Sequence, residues 1–138
     1  MDRVDNAVAT AANIHGLCTT TSELRRLAEL AHDAEFTVEV GSYMGRSSKA
    51  LALATMGIVY CVDTWRGSEE DTEGEKTRET SPEVLYSSFI RNTWNEISTA
   101  KIIPLRCDSV EGAKIFKELG YTFDLLFLDA GHNYEWVT

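Results

Sequence analysis

Short apolar runs alternate with amphipathic segments along most of the chain. Runs rich in β-branched and aromatic residues are typical of buried strands, and they occupy 36–40, 58–62, 101–105 and 123–128. Segments with apolar residues at helical spacing separate them, at 48–54, 83–97 and 110–119. Strands that alternate with helices predict an α/β fold with a doubly wound parallel sheet and right-handed crossovers.

Several residues mark where these elements begin. Thr20 and Glu23 have the spacing of a capping box and predict a further helix before the first strand. Ser81, followed by proline, and Asp108 are expected to cap the two later helices. Pro104 lacks a backbone donor, so the third strand is predicted to lie at a sheet edge.

Two stretches have no clear period. Residues 1–19 are expected to be either partly disordered or loosely helical, and 20–138 to form one domain. Residues 64–80 are polar and strongly acidic, and the alternatives there are a solvated loop and a lid over a ligand.

Composition narrows the class of protein. The 138-residue chain has a formal net charge of −9, which argues against non-specific binding to nucleic acid or to an anionic membrane surface. It contains no apolar run of the roughly 20 residues that a membrane span needs. Three widely spaced cysteines and a start without an apolar signal core predict reduced thiols in a cytoplasmic protein.

The stretch 36–48, FTVEVGSYMGRSS, is the strongest local motif. A strand is followed by a turn with Gly41 and Gly45, and Ser47 is predicted to cap the next helix. In open α/β sheets this arrangement lets a nucleotide-like ligand approach the backbone and meet free N–H groups of the helix.

Carboxylates gather at the predicted ligand-binding edge of the sheet. Asp63, Asp108 and Asp129 follow the second, third and fourth strands, and Glu39 lies at the end of the first. Ligands bind beyond the carboxyl ends of parallel strands, so this convergence indicates a binding site.

These motifs together resemble class I S-adenosylmethionine-dependent methyltransferases, in particular small-molecule O-methyltransferases of the catechol, caffeoyl-CoA and macrolide-sugar types. The likeness covers about 20–136 and rests on four segments in the family's order: 39–47 (EVGSYMGRS), 62–63 (VD), 107–109 (CDS) and 128–132 (LDAGH). It implies a Rossmann-like sheet with strand order 3-2-1-4. It also implies transfer of a methyl group from S-adenosylmethionine to a hydroxyl of a small molecule.

The resemblance assigns roles to individual residues. Asp63 would accept the ribose hydroxyls, Asp108 and Ser109 would contact the adenine, and Glu39 and Asp129 would hold the ammonium or favour the sulfonium charge. The other expected cofactor contacts are Gly41, Ser42, Tyr43, Gly45, Ser47 and Trp65, although Tyr43 and Trp65 could equally belong to the core.

The expected chemistry needs a base for the acceptor hydroxyl. His132 is the candidate general base because its ordinary pKa suits proton transfer, whereas His15 and His32 are expected to lie outside the site. Asp129 is expected at the reaction centre; in metal-dependent relatives its counterpart binds a divalent cation such as Mg²⁺, but Gly131 replaces an acidic residue common there.

The chain also departs from the family pattern. The family's sheet has seven strands and this sequence supplies four, so the domain is expected to be incomplete at its C-terminus, with an apolar fourth strand at an edge. One alternative is a nucleotide-dependent oxidoreductase, although the G-x-x-x-G spacing lacks the G-x-G-x-x-G pattern. Another is a non-catalytic cofactor-binding fragment that forms a homodimer through strand four.

Overall fold

A computed structural model describes residues 2–16, 19–66 and 81–129 of the chain. The helices are α1 (Arg3–Ala11), α2 (Thr21–His32), α3 (Arg46–Ala54), α4 (Pro82–Asn92), α5 (Trp94–Ser98) and α6 (Ser109–Leu119). The strands are β1 (Phe36–Val40), β2 (Ile58–Asp63), β3 (Ile102–Arg106) and β4 (Leu125–Leu128).

The four strands form one parallel sheet in the order β3-β2-β1-β4. Both the fold class and the strand order agree with the expectation. Pro104 lies in β3 at one edge of the sheet, as its missing donor predicts. β4 forms the other edge, where Leu126 and Leu128 are 55% and 49% exposed.

Asp124 ties β4 to β1 just before β4 begins. Its Oδ2 accepts hydrogen bonds from the backbone N–H groups of Glu35 and Phe36, at 2.8 and 2.9 Å. Both bonds help to set the register in which Thr37 lies beside Leu125.

Helices cover the two faces of the sheet unequally. The larger core lies on one face and contains buried residues of α1, α2, α3 and α4, with Leu51 and Phe89 fully buried. The smaller core lies on the other face, where Phe116 of α6 packs against Val38, Tyr60 and Val62. Glu39 points toward the larger core because it alternates with Val38 along β1.

The N-terminal segment contributes a helix to the larger core. Asp2 caps α1 by accepting a hydrogen bond from Asp5 N, and Ala7, Val8 and Ala11 are buried. Of the two alternatives for residues 1–19, a helix is therefore observed over most of the described part. No helix among the described residues is long and apolar enough to cross a membrane.

Three of the predicted helix starts are confirmed by their hydrogen bonds. Thr20, Ser81 and Asp108 accept hydrogen bonds from backbone N–H groups two or three residues later. The predicted cap at Ser47 is wrong, because α3 begins after Gly45, which has φ +95° and no side-chain cap. The predicted helix over 83–97 is also interrupted at Thr93, which separates α4 from α5.

Candidate functional site

The glycine turn, residues 41–45, connects the carboxyl end of β1 to α3. Gly41 and Gly45 have φ values of +96° and +95°, in the left-handed region that favours glycine. A Cβ on Gly45 would also lie 2.7 Å from Thr93 Cγ2, so packing excludes a side chain there. α3 has no side-chain cap, so its first-turn N–H groups face the turn without a side-chain acceptor.

Asp63 holds the glycine turn in place from the end of β2. Its Oδ2 accepts hydrogen bonds from Ser42 N and Tyr43 N, both at 2.9 Å, and its Oδ1 accepts one from Trp65 N at 2.9 Å. A carboxylate offers about four acceptor positions, so these bonds engage about three of them. Asp63 lies at the end of β2, where a residue that binds the ribose hydroxyls was expected. Most of its acceptor positions, however, are used by backbone N–H groups of the turn and of Trp65.

Trp65 supports the same turn from the core side. It is 1% exposed and packs against Tyr86 and Phe89, with ring centroids 4.6 and 4.9 Å away. Its Nε1 donates a hydrogen bond to the Tyr43 carbonyl oxygen at 2.6 Å. Of the two alternatives for Trp65, the structure thus favours the core. Tyr43, with φ +48°, is held between Asp63 and Trp65 in a backbone conformation uncommon for non-glycine residues.

Glu39 lies directly behind the glycine turn and is completely buried. The hydroxyls of Ser47 and Ser48, in the first turn of α3, donate hydrogen bonds to its two carboxyl oxygens. Ser47 thus joins α3 to β1 instead of capping the helix. Both carboxyl oxygens are engaged by α3, and the expected contact between Glu39 and the ligand's ammonium stays a prediction.

Burial raises the pKa of Glu39 from its ordinary value of 4.5 to about 7. Loss of hydration is the largest cause, and the hydrogen bonds from Ser47 and Ser48 lower the pKa by less. The nearby charge of Asp129 adds a smaller increase, which places Asp129 close to the same site. Glu39 can therefore exchange a proton near neutral pH.

Ser42 has a buried hydroxyl that meets no hydrogen-bond partner among the described residues. It is 2% exposed and lies close enough to Glu39 to lower that group's pKa slightly, although no bond of good geometry joins them. Because an unpaired buried polar group is costly, such an atom beside a glycine turn fits a position that a ligand satisfies.

Asp108, Ser109 and Asp129 stand at the same edge of the sheet. Asp108 caps α6 by accepting a hydrogen bond from Glu111 N at 2.8 Å, and both Asp108 and Ser109 are exposed. Asp129 is half-buried, and its backbone N–H donates to the Val40 carbonyl oxygen at 2.8 Å, which fixes it beside β1.

Two expectations lie outside the described residues: the base His132 and nearly all of the acidic loop after Asp63. Within the described ranges, no group of three or more His, Cys, Asp or Glu side chains is arranged to hold a metal ion. A metal role for Asp129 gains no support from this part of the chain.

Comparison with known families identifies the architecture. Residues 38–138 match the model of a family described as a methyltransferase domain. The chain belongs to this methyltransferase family. The matched range contains all four segments on which the resemblance rests. No curated protein sequence matches the chain.

Solved structures show the same fold. The O-methyltransferase TomG from Streptomyces achromogenes, in complex with SAM, has a TM-score of 0.63 at 18% identity and covers 94% of this chain. Cofactor-bound Rv0187 from MTB has a TM-score of 0.62 at 18% identity and also covers 94%. An O-methyltransferase from Bacillus cereus in complex with SAH has a TM-score of 0.58 at 16% identity and 94% coverage. This methyltransferase domain spans 54–55% of the length of those chains.

One residue near the site was expected elsewhere. The His15 ring lies 6.4 Å from the Tyr43 ring, at an interplanar angle of 57°. Its sequence position gives no signal for this contact, because the neighbourhood arises only when the segment after α1 passes the glycine turn.

Proposed function

We propose that this methyltransferase domain binds S-adenosylmethionine at the glycine turn and takes part in methyl transfer to a hydroxyl of a small molecule. The Ser42 hydroxyl carries the proposal, because it is buried at the position where the ligand is expected and meets no hydrogen-bond partner within the described ranges. The donor class is supported by the family and by two O-methyltransferase neighbours whose structures hold SAM or SAH.

The turn provides complementary groups for the parts of such a ligand. Gly41 allows close approach of the methionine portion, and the uncapped first turn of α3 offers N–H donors to its carboxylate. Asp63 retains about one acceptor position, enough for one ribose hydroxyl without loss of a bond to the turn. Asp108 and Ser109 would contact the adenine, as the resemblance implies.

The ligand supplies an activated methyl group on a sulfonium. The acceptor oxygen forms a bond to the methyl carbon while the carbon–sulfur bond breaks, and its electron pair stays on sulfur. Asp129, beside β1, favours the positive charge before transfer, and His132 is the proposed acceptor of the hydroxyl proton.

Ser42→Ala tests the proposal by calorimetric titration with S-adenosylhomocysteine. The variant removes a hydroxyl that has no hydrogen-bond partner of good geometry among the described residues, so the free energy of unfolding should change little. Loss of a hydrogen bond to the ligand should weaken binding about fivefold or more, on the order of 1 kcal/mol.

Thr37→Val is the matched control. Thr37 also has a buried hydroxyl without a hydrogen-bond partner in the described part of the chain, but it lies near the start of β1, away from the carboxyl edge. This variant should keep the wild-type affinity. If Ser42→Ala also keeps it, the ligand does not use this hydroxyl. If NAD protects the wild type from thermal unfolding and S-adenosylhomocysteine does not, the proposed ligand of the glycine turn is wrong.

A further inference from the structure

Arg46 begins α3, yet its side chain is bonded to the segment that follows α1. Its Nη1 donates hydrogen bonds to the carbonyl oxygens of Ala12 and Ile14, at 2.8 and 2.9 Å. Its Nε donates to the Thr19 carbonyl oxygen at 3.1 Å. One guanidinium therefore fastens both ends of the connection between α1 and α2, as far as the structure describes it.

Electrostatics explain why a cation is stable at this position. An arginine in the first turn of a helix is unfavourable, because it faces the positive end of the helix dipole. Ala12, however, is the C-cap residue of α1, where carbonyl groups lack helical partners. The guanidinium thus donates hydrogen bonds at the carboxyl end of α1, where its positive charge is favourable, although the residue belongs to the first turn of α3.

Packing keeps the same segment against the glycine turn. A Cβ on Gly16 would lie 2.2 Å from Arg46 Cδ, so the backbone passes directly over the arginine stem. The neighbouring His15 then reaches the ring of Tyr43, which belongs to the turn. Arg46 thereby connects the N-terminal segment to the residues that we expect to contact the methyl donor.

We propose that Arg46 is a positioning residue of the methyl-donor site. It holds residues 12–16 beside the glycine turn, so that His15 and Tyr43 form one wall of the site. This inference rests on the proposed function. A protein in which the segment is released binds the ligand in only a fraction of its conformations, and its apparent dissociation constant rises by the inverse of that fraction.

Arg46→Met is the main test, because it keeps most of the stem and removes the guanidinium. We expect S-adenosylhomocysteine to bind at least tenfold more weakly by calorimetry, which corresponds to 1.4 kcal/mol. Hydrogen exchange should show that the ligand protects the amides of 12–16 in the wild type and no longer does so in the variant. A purely structural role would not remove this ligand-dependent protection.

Arg25→Met is the matched control. It removes the ion pair of 2.8 Å between Arg25 and Asp5, which joins α2 to α1 away from the glycine turn. Its affinity should stay within twofold of the wild type. Gly16→Ala provides a second variant if Arg46→Met does not fold, since it displaces the segment without the loss of a donor, and it should also weaken binding severalfold.

The outcomes separate this inference from the proposed function. If the wild type binds the ligand and both Arg46→Met and Gly16→Ala bind it equally well, the positioning role is wrong and the proposed function stands. If the wild type does not bind it, both are wrong.

Discussion

Replacement of Glu39 by glutamine should change how stability depends on pH. Glu39 is completely buried, and burial raises its pKa from 4.5 to about 7. The folded protein therefore holds this proton more tightly than the unfolded chain does. The stability contributed by Glu39 is fully present below pH 4.5 and is lost as the pH rises through about 7.

The size of the effect follows from the shift. A change from 4.5 to about 7 corresponds to about 3 kcal/mol of stability at 1.36 kcal/mol per unit. Glutamine has the shape of the protonated carboxyl and cannot ionise, and the hydroxyls of Ser47 and Ser48 can donate or accept. The variant should therefore gain about 3 kcal/mol relative to the wild type between pH 4.5 and 8.

Urea unfolding of both proteins at pH 5, 6, 7 and 8 measures this difference in free energy of unfolding. Any pH-independent effect of the amide on stability cancels when the differences at these pH values are compared. Burial also raises the pKa of Cys61, the buried thiol beside Glu39, well above its ordinary value, so it does not titrate in this range. If the difference between variant and wild type changes by less than about 1 kcal/mol over these pH values, the burial argument is refuted.

Glu83→Gln is a control of opposite sign. A hydrogen bond from Arg106 is the main cause that lowers the pKa of Glu83, which is exposed. The stability that Glu83 contributes is present above its unfolded pKa and lost as the pH falls. This variant should therefore be less stable than the wild type at neutral pH, and the difference should shrink in acid.

Three further substitutions should lower stability, which urea unfolding measures. Glu96→Ala should lower the free energy of unfolding by about 3 kcal/mol, because it leaves Lys49, 12% exposed and 2.7 Å from the Glu96 carboxylate, without its ion-pair partner; a loss below 1 kcal/mol would contradict this. Gly57→Ala should cost more than 3 kcal/mol, since a Cβ would lie 1.7 Å from the Glu35 carbonyl oxygen. Gly120→Ala, at φ +70° with no atom within 4 Å of the added Cβ, should cost only about 1 kcal/mol. Equal losses of stability at Gly57 and Gly120 would show that the contact with the Glu35 carbonyl oxygen is not the cause.

The sequence predicted those features that depend on neighbours along the chain. Thr20 and Asp108 cap helices through N–H groups three residues away, a distance that a single turn determines. The edge position of β3 follows from the missing donor of Pro104. Alternation of strands and helices, together with the four motif segments, was enough to predict the parallel sheet and the methyltransferase family.

The partners of the site residues depended on tertiary structure. Ser47 could satisfy a local N–H group or a carboxylate eight residues earlier, and only the packing of α3 against β1 selected Glu39. From its residue type alone, Trp65 could line a ligand pocket or belong to the core. The packing of α4 against it placed it in the core.

Arg46 shows the same limit most clearly. Its place in the motif gives no signal for its partners, because its hydrogen bonds go to a segment about 30 residues earlier. Sequence patterns thus determined which elements form and at which edge of the sheet the candidate residues gather. The tertiary structure decided which side chains hold the glycine turn, because that choice depends on contacts between segments distant in sequence.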